Sequence, residues 1–178
     1  MQRRPRSLKS RALQLLAQRD QSRLELRTKL LRHARAAVAN DAGTAGDTDD
    51  DGRTAAAEVE LLLDWLQANG LLSNERFAES RVHARQGRFG LLRIKGELGR
   101  HDVALPAELE QALAASELER AAAVRARRFA APPGDAAERA AQSRFLLARG
   151  FAPELVHRLM RGVGRIAVDA ESTLDDVA

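Results

Sequence analysis

LLAQRDQSRLELRTKLLRH, residues 15–33, and HARQGRFGLLRIKGELGRH, residues 83–101, are two versions of one pattern. Offset by 68 positions without a gap, they are identical at five of nineteen places: Gln18/Gln86, Leu24/Leu92, Leu30/Leu98, Arg32/Arg100 and His33/His101. Leu26/Ile94 and Arg27/Lys95 agree in kind. A weaker third copy, ARGFAPELVHRLMR from residue 148, aligns Phe89/Phe151, Ile94/Val156 and Leu98/Met160. Tandem helical units stack into an extended surface rather than around one deep pocket. Such a surface suits a long partner.

Working outward from the repeat, the chain reads as all-α, with three helices in each of three units and no sustained strand-type alternation. A basic, disordered N-terminus is expected over 1–9, then units at 10–72, 73–116 and 117–162, with a mobile acidic tail over 163–178. In the first unit, Leu13 and Leu16 mark the core face of a helix beginning at Ser10. Ser22 and Glu25 have capping-box spacing before Leu26, Leu30 and Leu31. Residues 40–53, NDAGTAGDTDDDGR, lack periodicity and read as a disordered acidic insertion, not as a calcium loop. Val59, Leu62, Leu63 and Leu66 face inward on the next helix, Trp65 joins the core beside them, and Gly70 ends it.

The second unit starts at Ser73, a cap, with Leu72 stapling onto Phe77. Its first helix runs to about Gln86, Gly87–Gly90 is a turn, and Leu91–Gly99 is helical with Ile94 and Leu98 inward. Pro106 suits the first turn of a helix ending near Ser116. In the third unit a helix spans Glu117–Phe129, Asp135 and Glu138 make a second capping box, and a helix carrying Phe145–Leu147 stops at Gly150. Pro153 begins the last helix, with Val156, Leu159 and Met160 as its apolar face.

Charge follows the same division. Residues 1–37 carry eleven Lys/Arg against two Asp/Glu, residues 73–101 seven against three, and residues 121–165 nine against three. Such blocks point to anionic partners, and the arginine fork suits phosphates and carboxylates. Only three of the 29 basic residues are Lys. With no cysteine there are no disulfides or thiolate metal sites, which fits a reducing compartment. No apolar run is long enough to span a membrane, and MQRRPRSLKS lacks the apolar stretch of a signal peptide.

No catalytic constellation, phosphate-binding glycine motif or metal spacing is present, so neither an enzyme nor a cofactor is expected. His33 and His101 recur just after the second helix of their units, where a cation complements the helix dipole. The phenylalanines fall on core stripes, leaving no stacking platform for single strands, so any DNA contact is to phosphate.

Several blocks now converge on a family: Ala12-Leu13, Arg19 through Leu26, Lys29-Leu30, Gly70 through Ala78, and Gly90 with Arg93-Ile94 and Glu97-Leu98. Arg127-Arg128-Phe129, Arg144-Phe145-Leu146 and Arg149-Gly150-Phe151 complete the set. In this order and spacing, over most of residues 10–162, the chain resembles the RecX family of bacterial recombination regulators. It departs at Phe89-Gly90-Leu91, where the family has Tyr-Gly-Pro, and in the insertion. The resemblance implies an elongated, curved array of three three-helix repeats. It also implies a cytoplasmic, monomeric protein that binds RecA and RecA–DNA filaments and inhibits recombinase and co-protease activity. The other reading of small three-helix units is a helix-turn-helix transcription regulator. The expected binding surface is Arg81, Arg85, Arg88, Arg93, Lys95 and Arg100 of the middle repeat, then Arg23 and Arg27 of the first.

Overall fold

The computed structural model describes residues 7–41 and 48–163, and every regular element among them is helical. In chain order these are α1 (Leu8–Gln18), α2 (Arg23–Asp41), α3 (Thr48–Ala68), α4 (Asn74–Arg85), α5 (Leu91–Gly99), α6 (Ala107–Ala115), α7 (Glu117–Ala126), α8 (Ala136–Leu147) and α9 (153–163). Residues 1–6, the centre of the acidic insertion at 42–47 and the tail from 164 lie outside the described residues.

The described chain forms two compact units. One holds residues up to Ser80 with Arg100–Val103, and the other holds Arg81–Gly99 with the chain from Ala104 onward. The core of the first is Ala12, Leu15, Leu26, Leu30, Val59, Leu63, Leu66 and Leu72, which brings α1, α2 and α3 together. Four apolar residues on α3 at i, i+3, i+4 and i+7 spacing make the stripe that such packing needs. In the second unit Ala121, Val124, Leu146, Phe151, Val156 and Met160 gather α7, α8 and α9, and Ile94 and Leu98 are buried on α5.

Caps set the boundaries. The Ser22 hydroxyl accepts from the Glu25 amide at 3.0 Å, Ser73 from Arg76 at 3.2 Å, and the Asp135 carboxylate from Glu138 at 2.7 Å. Each satisfies an amide that a helix start leaves without a carbonyl. The Glu25 side chain does not reach back to complete a box; it pairs with Arg19 and Lys29 instead. Gly70, at φ 67°, closes α3, with the Leu71 amide on the Leu66 carbonyl at 2.9 Å.

Several sequence expectations are corrected. Helix α1 starts at Leu8, because Ser7 caps it through the Ser10 amide. It buries Ala12 and Leu15 while Leu13 stays exposed, since a stripe one residue offset faces α2 and α3. Residues 40–41 and 48–53 of the expected insertion are helical: α2 runs to Asp41 and α3 begins at Thr48. Acidic residues are favoured at a helix start, and Ala55-Ala56-Ala57 propagate the helix backwards, which composition alone disguised. The longer α2 places His33 inside the helix, not at its end. His101 does follow α5, where it meets Phe77 edge-on at 5.1 Å. Trp65 is more than a third exposed, with the Lys9 ammonium 3.8 Å from its ring centre, so the indole is a surface platform rather than core. Helix α7 ends at Ala126, three residues early.

Candidate anion-binding site

The turn between α4 and α5 is held by main-chain, glycine and side-chain contacts at once. Gly90 donates to the Arg149 carbonyl at 2.9 Å, and Leu92 donates to the Gly150 carbonyl at 3.1 Å. A Cβ on Gly90 would lie 2.2 Å from the Gly150 oxygen, and one on Gly150 would lie 2.4 Å from the Arg93 Cβ. Only glycine lets two main chains approach so closely, and Gly150 also sits at φ 79°.

Two charged side chains lock the same turn. Buried Glu117 accepts from the Leu91 amide at 2.8 Å, capping α5 from another helix. Arg120 donates to the carbonyls of Gln86, Phe89 and Leu113 at 3.1, 3.0 and 2.8 Å. Burial lowers the pKa of its guanidinium, against the opposing pull of Glu117. Three carbonyls therefore take the place of water around this cation.

Held in this way, Gly87, Arg88 and Phe89 face α7 and α8 across an open cavity of about 560 Å³. Val124, Arg127, Arg128, Phe145 and Arg149 complete its lining, which contains four arginines and no acidic residue. Arg127 donates to the Gly87 carbonyl at 3.1 Å. The Arg149 guanidinium lies 3.6 Å from the centre of the Phe145 ring. Arg93 covers the Phe89 ring at 4.6 Å. Guanidinium–ring contacts of this kind hold the planar fork in place without neutralising it. None of the four lining arginines takes part in an ion pair among the described residues.

Of the residues expected from sequence, Arg88 lines this cavity. Arg85 and Arg93 flank it but both bind Glu97, at 3.0 and 3.5 Å. Lys95 pairs with Glu110 at 2.7 Å. Arg23 pairs with Glu60 and Asp64, both at 2.7 Å, and Arg27 also reaches Glu60. Arg81 is half-buried on α4, and Arg100 is exposed in the other unit. The eight do not form one surface within either unit. The structure adds Arg127, Arg128 and Arg149, which in the sequence stood in the third basic block and in the blocks of family resemblance but not among the expected binding residues. Phe77 and Phe151 are core as expected, whereas Phe89 and Phe145 are half-buried at the cavity.

Known proteins resemble this chain along nearly its whole length. Residues 115–160 match the family model described as RecX, third three-helix domain. The regulatory protein RecX of Ralstonia nicotianae is 44% identical over 176 residues, spanning 98% of this chain and 94% of that one. The regulatory protein RecX of Herbaspirillum seropedicae is 45% identical over 163 residues, spanning 90% and 91%. The crystal structure of RecX from Lactobacillus salivarius shares the fold, with a TM-score of 0.59 at 16% identity, covering 88% of this chain and 94% of that one. Near full-length identity at this level leaves no other assignment: the chain belongs to the RecX family of regulatory proteins.

Proposed function

We propose that this protein binds RecA and RecA–DNA filaments and inhibits recombinase and co-protease activity, acting by occupancy rather than by catalysis. The observation that carries this reading is the near full-length similarity to proteins named regulatory protein RecX. The basic cavity supports it, because a nucleoprotein filament presents anionic groups at regular intervals and several weak contacts add through their linkage. The reading places the protein in the cytoplasm as a monomer, with its three helical repeats offering successive contacts.

The test is RecA's DNA-dependent ATP hydrolysis, followed as this protein is titrated in. Inhibition that saturates and weakens with added salt is the expected result. An unchanged rate across a wide concentration range would overturn the reading. Sequence-preferring binding to bare duplex would point to a transcription regulator instead.

A further inference from the structure

The arginine cavity between the α4–α5 turn, α7 and α8 has a chemistry that selects among anions. From its lining we infer that it is a clamp for the phosphodiester backbone of a nucleic-acid strand, filled without regard to base sequence. This deepens the filament-binding reading and rests on it for its biological setting, but the clamp works on the strand alone.

The first ground is charge. Arg88, Arg127, Arg128 and Arg149 bring four positive charges to one opening, and no carboxylate lines it. The second is donor–acceptor balance. The lining side chains are Arg, Phe and Val, so they donate hydrogen bonds and accept none. The nearby carbonyls of Gly87, Phe89 and Phe145 already accept from Arg127, Arg120 and Arg149. A peptide entering the cavity would bring backbone amides that find no side-chain acceptor there. A phosphodiester strand brings only acceptor oxygens at its backbone, and the arginine forks match them.

The third ground is what the cavity cannot read. It has no Asn, Gln, Ser or Thr, so only its arginine forks could meet a base edge, whereas phosphate oxygens are acceptors that every nucleotide brings them. The Phe89 and Phe145 rings are covered by the guanidinium groups of Arg93 and Arg149, so bases have little open ring to stack on. Contacts to phosphate position a strand and carry no sequence information. The Gly90–Gly150 clasp and the Glu117 and Arg120 locks keep the turn in place before any strand arrives.

The test uses the full chain without RecA and a fluorescein-labelled oligo(dT), followed by anisotropy across a salt series. Arg88 and Arg128 are both exposed and their guanidinium groups make no hydrogen bond, so Arg88→Gln with Arg128→Gln spares the fold. The expected result is a loss of about tenfold in affinity at moderate salt, with the log–log salt slope shallower by about one to one and a half. Arg32→Gln with Arg35→Gln, which removes the same charge from exposed positions on α2, should change affinity by less than about twofold. Oligo(dA) should behave as oligo(dT). Equal losses in the two double variants would mean that only net charge matters, and the clamp is wrong. A polyglutamate peptide of equal charge displacing the strand as well as unlabelled oligo(dT) would assign the cavity to acidic peptides instead, and would also overturn the inference. ATPase inhibition by the wild type, measured separately, reports on the filament reading and not on the clamp.

Discussion

Arginines are gathered in two places, and the two gatherings have different fates. On α2, Arg23 and Arg27 bind Glu60 and Asp64 of α3, while Arg19 and Lys29 share Glu25. Around the cavity of the second unit, Arg88, Arg127, Arg128 and Arg149 line a surface without a carboxylate. Partly exposed ion pairs contribute only about 0–1 kcal/mol each, but each carboxylate offsets one of the positive charges beside it. A guanidinium resting on a ring or a carbonyl keeps its whole charge for a ligand. Basic residues counted along a sequence therefore overstate the first repeat as a binding surface and understate the third.

The comparison breaks most visibly at the clasp that shapes the cavity. Gly90→Ala and Gly150→Ala each force a Cβ into main chain or Cβ atoms at 2.2–2.4 Å. Each should cost about 3 kcal/mol or more and abolish strand binding with it. Gly87→Ala, where a Cβ would meet nothing within 4 Å, should change stability by less than about 0.5 kcal/mol. Denaturant titration of the three variants decides, and similar midpoints would mean that the two glycines do not set the turn.

Next in size are the repeated leucines. Leu30 is fully buried on α2 and Leu98 nearly so on α5, the same place in two repeats. Leu30→Ala and Leu98→Ala should each cost about 2–5 kcal/mol, with the spread set by how far each site can collapse. Melting temperatures check this. A negligible loss at either position would separate the sequence repeat from the packing repeat.

Those leucines show what local pattern can reveal. Helical spacing and caps act over three or four residues, so Leu26, Leu30, Ile94, Leu98, Ser22, Ser73 and Gly70 were all legible from sequence. The bounds of α5 were as well. Leu13 was not, because either of two neighbouring stripes on α1 was apolar enough to face inward. Trp65 was misread because a large ring beside a stripe packs equally well under a lysine stem as inside a core. The site resisted for a different reason. Arg23 finds Glu60 37 residues away, and Arg127 meets the Gly87 carbonyl 40 residues away. Pairings of that range follow tertiary placement, which no local period encodes. Family resemblance supplied the order of the blocks but not the fate of each charge.

Caps give the next smaller effect. Ser22→Ala and Ser73→Ala should each destabilise the first unit by about 0.5–2 kcal/mol, and Glu117→Ala should do the same at the start of α5. The serine changes should leave oligo(dT) binding intact. Glu117→Ala should weaken it, because the turn that carries Arg88 loses a support. Anisotropy and thermal melts on the same samples test both claims. Strand binding unaffected by Glu117→Ala would show that the clasp alone positions the turn.

The smallest effect separates the two arginine clusters by pH. Hydrogen bonds from Arg27 and Arg23 hold the Glu60 carboxyl below the ordinary carboxylate range, outweighing burial. At Glu25 burial acts to raise the pKa, but hydrogen bonds from Arg19 and Lys29 overcome it, and the net shift is also downward. A carboxyl whose folded pKa is depressed stabilises the fold above its unfolded value, about 4.3 for Glu. That contribution is lost as pH falls from there through the folded value. Arg23→Gln with Arg27→Gln should therefore cost no more than about 1 kcal/mol at neutral pH and flatten the acid limb of the stability profile. The limb should not vanish, since Glu25 keeps its own partners. Arg88→Gln with Arg128→Gln should leave the limb as steep as in the wild type, because neither arginine faces a carboxylate. Denaturation midpoints between about pH 3 and 7 read the difference. If the two double variants flatten the limb equally, the arginines of α2 and of the cavity do not differ in how their charge is used.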